Sequence, residues 1–199
     1  MTLEPLPPRL ARVAELVPKG ASVLDVGCAD GLLLRHLRDA RGVDGRGIEL
    51  DPALVAEALA HGLSVVQGDA DTELAQFPTA AVDYAILSEA LQAMRAPDRV
   101  LTELLRIGRR AIVAFPNFGH WRVRLDLLLT GRMPVTPDLP ASWYATPNIH
   151  LCTIRDFEAL VAERGWRVEA RRFTRQNREV RWHPNLWADH ALYVLAPGP

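Results

Sequence analysis

The sequence predicts an α/β protein with a mostly parallel twisted sheet, helices on both faces and an antiparallel strand at its C-terminal end. Apolar runs alternate with segments of helical periodicity up to Pro116, which is typical of parallel βαβ units. The runs are apolar on nearly every residue, as expected for strands that helices cover on both sides. The last two apolar runs have no obvious helix between them, so we expect them to pair antiparallel.

The elements follow one another regularly up to Pro116. Prolines that suit a first helical turn support the helices predicted at residues 8–17, 51–62 and 97–108. Gly108 is a stop signal for the last of these helices. The segment between Asp69 and Ala81 is only a weak helix candidate. Helices are predicted at residues 8–17, 32–40, 51–62 and 97–108. Strands are predicted at residues 21–27, 45–50, 63–69, 81–88 and 110–116.

After Pro116 the regular pattern breaks for about thirty residues, longer than most connections in compact domains. Within it, the sequence "HWRVRLDLLLTG" predicts a helix that Gly131 ends. Its apolar stripe either packs on the chain's own sheet or contacts a partner, and the pattern favours neither. The stripe consists of Trp121, Leu125, Leu128 and Leu129. A stiff exposed loop is predicted around Trp143 and Tyr144, among Pro134, Pro137, Pro140 and Pro147. A helix at 153–165 and strands at 166–173 and 190–196 complete the chain.

Composition excludes several classes of protein. At 199 residues, with 49% hydrophobic and 24% charged residues and a net charge of −1, the chain suits one globular domain, and nucleic acid is not an expected partner. The N-terminal segment carries prolines and charges, and no run is long enough to span a bilayer, so we expect a cytoplasmic protein without a membrane partner. Cys28 and Cys152 lack neighbours at metal-ligand spacing, so no metal site is expected.

The sequence "VLDVGCADG" at residues 23–31 joins the first sheet strand to the helix that follows it. Small residues at Gly27, Ala29 and Gly31 let the backbone approach a ligand closely, and the helix N-terminus offers unpaired amides. The pattern differs from the G-x-G-x-x-G fingerprint of dinucleotide sites, because Asp25 is followed by small residues at every second position. This loop is the strongest candidate binding site in the sequence.

The loop resembles the cofactor loop of class I S-adenosylmethionine-dependent methyltransferases. The resemblance implies that Glu49 holds the ribose hydroxyls, that Asp69 contacts the adenine and that Ser88 lies beside the methyl group. The family commonly has glycine where this sequence has Ala29, and one methyl group is tolerable if that residue keeps a negative φ. Each residue alone is more often structural, but their order at strand ends favours cofactor binding. The implied cofactor-binding residues are Asp25, Gly27, Ala29, Gly31, Glu49, Leu50, Asp69, Ala70 and Ser88.

A narrower resemblance covers nearly the whole chain from Val23 to about Phe173. The sequences "FPNFGHWRVRL", "GRMPVT" and "WYATPNIHLCTIRDF" resemble the MetW family of methionine biosynthesis proteins. The resemblance implies one methyltransferase-like domain over residues 1–199, with a family-specific insertion at about 117–150. It also implies S-adenosylmethionine or S-adenosylhomocysteine as the cofactor, and a role as accessory or activating partner of a MetX-type homoserine O-acetyltransferase.

Catalytic residues are not identified by any motif. Weak candidates for a base or substrate contact are His120, Tyr144 and His150, and each is more simply explained as a cap, a core residue or part of the insertion. Neither the Asn-Pro-Pro-aromatic motif of amino-group methyltransferases nor a Pro-Cys nucleophile is found. A small-molecule methyltransferase therefore stays an alternative to the accessory protein, and a binding domain without a cofactor is a third.

Overall fold

The computed structural model describes residues 5–136 and 141–198. Every predicted helix and strand is present, with ends within two residues of the expected ones. The helices are α1 Pro8–Leu16, α2 Leu32–Arg41, α3 Pro52–Ala60, α4 Ala70–Glu73, α5 Pro97–Ile107, α6 Trp121–Thr130, α7 Ile154–Glu163 and α8 Pro184–Trp187. The strands are β1 Ser22–Val26, β2 Asp44–Glu49, β3 Ser64–Gln67, β4 Val82–Ser88, β5 Gly108–Pro116, β6 Arg167–Arg175, β7 Arg178–Glu179 and β8 His190–Ala196.

The described strands form one sheet in the order β3-β2-β1-β4-β5-β8-β6-β7. Strands β1 to β5 pair in parallel, whereas β8 is antiparallel to both β5 and β6. This arrangement confirms the predicted fold class. Because the chain runs from β1 outward through β2 and β3 and then returns to β4, a crevice opens at the carboxyl ends of β1 and β4, the usual ligand position in such sheets.

Two apolar clusters cover the two faces of the sheet. Consecutive strand residues point to opposite faces, so Ile86 packs with α1 and α2 while Leu87 packs with α5 and α7. On the second face the rings of Phe115, Phe157 and Tyr193 form a compact group, with Phe157 4.6 Å from Phe115 and 4.7 Å from Tyr193 between ring centroids. The sheet is therefore covered on both sides without any contribution from buried residues of α6.

The predicted antiparallel pairing of β6 with β8 is confirmed, but two short elements in their connection were not predicted. That segment contains the short strand β7 and the one-turn helix α8, which Pro184 opens in a first-turn position. A helix of four residues has too few positions to display a helical period, so its apolar pattern carries no signal. The weak helix candidate after Asp69 is present as the one-turn α4, followed by a 3-10 turn at Leu74–Gln76.

The predicted apolar stripe of α6 does not pack on the sheet. No residue of this helix is buried, and Leu128 and Leu129 are 80% and 73% exposed. Trp143 and Tyr144 are likewise 74% and 77% exposed, as predicted for their loop. Of the prolines predicted to stiffen that loop, Pro137 and Pro140 lie outside the described residues. Among residues 5–136 and 141–198, no helix is long and apolar enough to cross a membrane.

Candidate functional site

The loop between β1 and α2 forms one wall of the crevice. Gly27 and Gly31 have φ values of 71° and 77°, a region that glycine adopts without strain. A Cβ atom at Gly27 would lie 3.1 Å from the Cβ of Ala90, and one at Gly31 would meet the side chain of Leu63. The positive φ therefore favours glycine at both positions, and an added Cβ would also require neighbouring side chains to shift.

Ala29 does not keep the negative φ that would make its methyl group costless. Its φ is 49°, in the left-handed region, where a Cβ crowds the neighbouring carbonyl. The loop turns here so that the Ala29 amide points at the Glu49 carboxylate, to which it donates a hydrogen bond of 2.9 Å. Glycine at this position would adopt the same φ without strain.

Replacing Ala29 with glycine is expected to raise the free energy of unfolding by about 0.5–1 kcal/mol, because relief of left-handed strain exceeds the added entropy of the unfolded chain. Urea unfolding of the two proteins measures this difference. The matched control is Ala56→Gly in the exposed face of α3, which should lower stability. A destabilised Ala29→Gly variant would contradict the strain argument.

Glu49 at the end of β2 connects two walls of the crevice. Its Oε2 accepts from the Ala29 amide, and its Oε1 accepts from the amides of Leu50 and Asp51 at 2.8 and 3.0 Å. Each carboxylate oxygen has two lone pairs, so the group can still accept from a ribose hydroxyl. The side chain of Leu50 is 62% exposed at the same edge of the sheet.

Asp25 lies buried at the carboxyl end of β1, with 3% of its surface exposed. Burial, followed by the charge of Glu49, raises the pKa of Asp25 from 3.8 to about 7. The carboxyl therefore changes its charge near neutral pH. A cationic group bound beside it would favour the ionised form and lower its pKa again.

Asp69 lies two residues after β3, and Ser88 is the last residue of β4. The Asp69 carboxylate caps α4, accepting from the Asp71 amide at 3.0 Å, and lies 3.9 Å from the Arg95 guanidinium. It thus has a structural role whatever it binds, and Ala70 is the first residue of the helix it caps. The Ser88 hydroxyl is buried and has no hydrogen-bond partner among the described residues.

The three weak catalytic candidates do not converge on one point. His120 is buried and caps α6, since its Nδ1 accepts from the Arg122 amide at 3.4 Å. His150 lies in a different cavity, with its Nε2 3.2 Å from the carbonyl of Arg95. Tyr144 is exposed and contacts Trp143 edge to face at a centroid distance of 5.6 Å. Their described contacts are those of structural residues.

A cluster of charged residues that the sequence did not reveal lies beside Ser88. The imidazole of buried His190 has its Nδ1 3.2 Å from Asp189 and its Nε2 3.5 Å from Glu89. The Glu89 carboxylate also lies 3.6 Å from Arg9, and Glu89 itself has a φ of 61°. These residues come from α1, the end of β4 and the start of β8, so only the sheet pairing brings them together.

Stability should fall at alkaline pH because of His190. Burial lowers its pKa, but Asp189 and Glu89 outweigh that effect and raise the pKa from 6.5 to about 9. The folded chain thus holds the proton more tightly, and this stabilisation is complete below pH 6.5 and lost as the pH rises through 9. Between these pH values the free energy of unfolding should drop by at least about 1 kcal/mol. Denaturant unfolding of the His190→Gln variant should lack this drop; identical profiles would refute the assignment.

The sheet order, the glycine loop after β1 and the acid at the end of β2 together define the class I methyltransferase fold. A SAM-dependent methyltransferase from Archaeoglobus fulgidus matches it with a TM-score of 0.70 and 14% identity, covering 94% of this chain and 91% of that chain. Another from Mesorhizobium loti matches with a TM-score of 0.69 and 15% identity, covering 96% and 98%. At such identities the likeness shows the fold alone.

The chain belongs to the family of the methionine biosynthesis protein MetW, whose family model matches residues 8–195. It is also 33% identical over 196 residues to the bifunctional methionine biosynthesis protein MetXA/MetW of Rhodopirellula baltica. That alignment covers 92% of this chain and 32% of the relative, so the chain spans about a third of the relative's length. The family match extends beyond Phe173 and includes the His190 cluster.

Proposed function

We propose that the crevice binds S-adenosylmethionine or S-adenosylhomocysteine. The observation that carries this proposal is the Glu49 carboxylate, fixed by three amides at the end of β2 and facing the glycine loop. A carboxylate held in this way keeps one lone pair, on Oε2, for a ribose hydroxyl, and it accepts that bond with little loss of side-chain entropy. Gly27 and Gly31 give the loop its positive φ values without strain. The other contacts are assigned to Asp25, Ala29, Leu50, Asp69, Ala70 and Ser88.

A calorimetric titration tests the cofactor proposal. Both compounds should bind at one site, and more tightly at pH 8 than at pH 6, because Asp25 ionises near pH 7 and their ammonium group favours its carboxylate. Titrations in buffers of different ionisation enthalpy should detect release of the proton. No binding by the folded chain would exclude the cofactor, and pH-independent binding would exclude Asp25 from the contact.

We further propose that the chain is an accessory, activating partner of a MetX-type homoserine O-acetyltransferase. Support comes from the relative in which MetXA and MetW are joined in one chain. Support also comes from what we call the α6 surface, formed by Leu125, Leu127, Leu128 and Leu129, which are all at least 40% exposed. An exposed apolar helix face of this kind is typical of a protein interaction site.

The two proposals together describe a regulator. S-adenosylmethionine is made from methionine, so the fraction of this chain that binds it depends on how much methionine is available. Through its partner, the chain would adjust the activity of an enzyme at the start of the same synthesis. The crevice is formed by the ends of β1 to β4, whereas the α6 surface follows β5. Coupling between them would be measured as a change in affinity for one ligand when the other is bound.

The alternative function is methyl transfer to a small molecule. The observation that favours it is the buried Ser88 hydroxyl, which has no hydrogen-bond partner among the described residues. The next residue, Glu89, has one buried carboxylate oxygen that also has no hydrogen-bond partner among them. Methyl transfer from a sulfonium depends mostly on alignment, so few catalytic groups are needed. Incubation with labelled S-adenosylmethionine and extracted metabolites distinguishes the two functions: a methylated product formed at a catalytic rate would favour the enzyme.

A further inference from the structure

A cavity beside the His190 cluster is separate from the candidate cofactor residues. Its volume is about 560 Å³, within the range of small-molecule sites. It lies at the sheet edge where β5 and β6 end and β8 begins, between the first turns of α1 and α6. None of the nine residues assigned to the cofactor lines it. It is therefore a second concave site at the same edge of the sheet.

The positive charge of this cavity exceeds its negative charge. Among the residues that line it, Arg9 pairs with Glu89 and His190 lies beside Asp189, so these charges are offset locally. Arg122 and Arg175 also line the cavity, and within residues 5–136 and 141–198 no acid lies within ion-pair distance of either. In the described part of the chain, these two guanidinium charges therefore have no anionic partner.

Both guanidinium groups are held by aromatic rings. Arg122 lies 5.4 Å from the ring centroid of Trp121, and Arg175 lies 5.9 Å from that of Trp187. The two indole rings contact each other, with centroids 6.2 Å apart. Stacking fixes a planar guanidinium while leaving its N–H groups available for a carboxylate or phosphate. The two arginines, although distant in sequence, are thus prearranged on one aromatic pair.

We propose that this cavity binds a small organic or inorganic dianion through Arg122 and Arg175. Two uncompensated guanidinium groups match two negative charges, and the guanidinium fork suits the paired oxygens of carboxylates and phosphates. The site depends on neither the cofactor nor the acetyltransferase. Its ligand would bind beside the His190 cluster and next to the end of β4, where the methyl group of the cofactor is expected.

The test uses succinate and inorganic phosphate as probes, with the indole N–H signals of Trp121 and Trp187 followed by NMR. One probe or both should bind with a Kd of about 1 mM or tighter and shift these two signals, while that of the exposed Trp143 stays fixed. Arg122→Gln and Arg175→Gln should each weaken binding at least about tenfold. Arg99→Gln, an exposed arginine on α5, is the control that should bind as before.

The outcomes are distinct. Binding of succinate alone identifies a dicarboxylate site, and binding of phosphate alone identifies a phosphate or phosphomonoester site; either supports the proposal. Binding of neither probe by the folded chain overturns it, as does binding that both glutamine variants retain. Titration in the presence of S-adenosylhomocysteine adds a further check. Loss of probe binding through competition would make the cavity part of the cofactor site and would also overturn the proposal.

Discussion

Replacing Glu49 with alanine is expected to weaken the binding of S-adenosylmethionine tenfold to hundredfold, about 1.5–3 kcal/mol. In the proposed site the carboxylate accepts a charge-assisted hydrogen bond from the ribose, and a bond of this kind is worth more than a neutral one. It also fixes the amides of Ala29, Leu50 and Asp51, so its removal loosens the loop that faces the ligand. Calorimetry with the folded variant measures the loss.

Two controls isolate the role of the Glu49 carboxylate. Glu57→Ala removes an exposed glutamate from the neighbouring helix α3 and should leave the affinity unchanged. Glu49→Gln keeps one carbonyl oxygen as an acceptor and should show an intermediate loss. An unchanged affinity in the Glu49→Ala protein would remove this residue from the site, and with it the main support for cofactor binding in the crevice.

Introducing aspartate at both Leu128 and Leu129 is expected to weaken association with homoserine O-acetyltransferase at least about a hundredfold. Burying a leucine side chain is worth about 1.5–3 kcal/mol, and an unpaired charge in its place must lose its hydration. Because both side chains are more than 70% exposed, the change should leave folding and cofactor binding intact. Co-purification and titration of the two proteins measure the effect.

The matched control for the α6 surface is Leu59→Asp, which places the same charge on a helix position that is 52% exposed in α3. It should leave association unchanged. Trp121 is unsuitable for this test, since it is partly buried against Trp187 and its removal would disturb packing. If the Leu128 and Leu129 variant binds the acetyltransferase normally, the docking surface lies elsewhere.

The fold was predictable because its signals are strong and local. Mostly apolar runs mark β1, β4 and β5, and Pro52 and Pro97 mark helix starts, so the alternation could be recognised directly. The segments β7 and α8 were missed because they are too short to show a period. The orientation of α6 could not be predicted, since periodicity shows that a helix has an apolar face and not what covers it.

The candidate site was predictable only in part. The spacing of Asp25, Gly27 and Gly31 located the loop, but the positive φ of Ala29 follows from its bond to Glu49 across the crevice. The His190 cluster left no local signal. Its members meet because β8 pairs with β5 in a register that sets His190 opposite Pro116, a contact between segments far apart in the chain.

The proposed function is regulation of homoserine O-acetyltransferase in response to S-adenosylmethionine. The most direct measurement is the rate of acetyl transfer by that enzyme, with and without the chain, each in the presence and absence of S-adenosylmethionine. We expect the chain to raise the rate, and the cofactor to change that effect for the native chain while changing it much less for the Glu49→Ala variant. A rate that is the same in all four mixtures, with no complex on co-purification, would rule out this regulatory function.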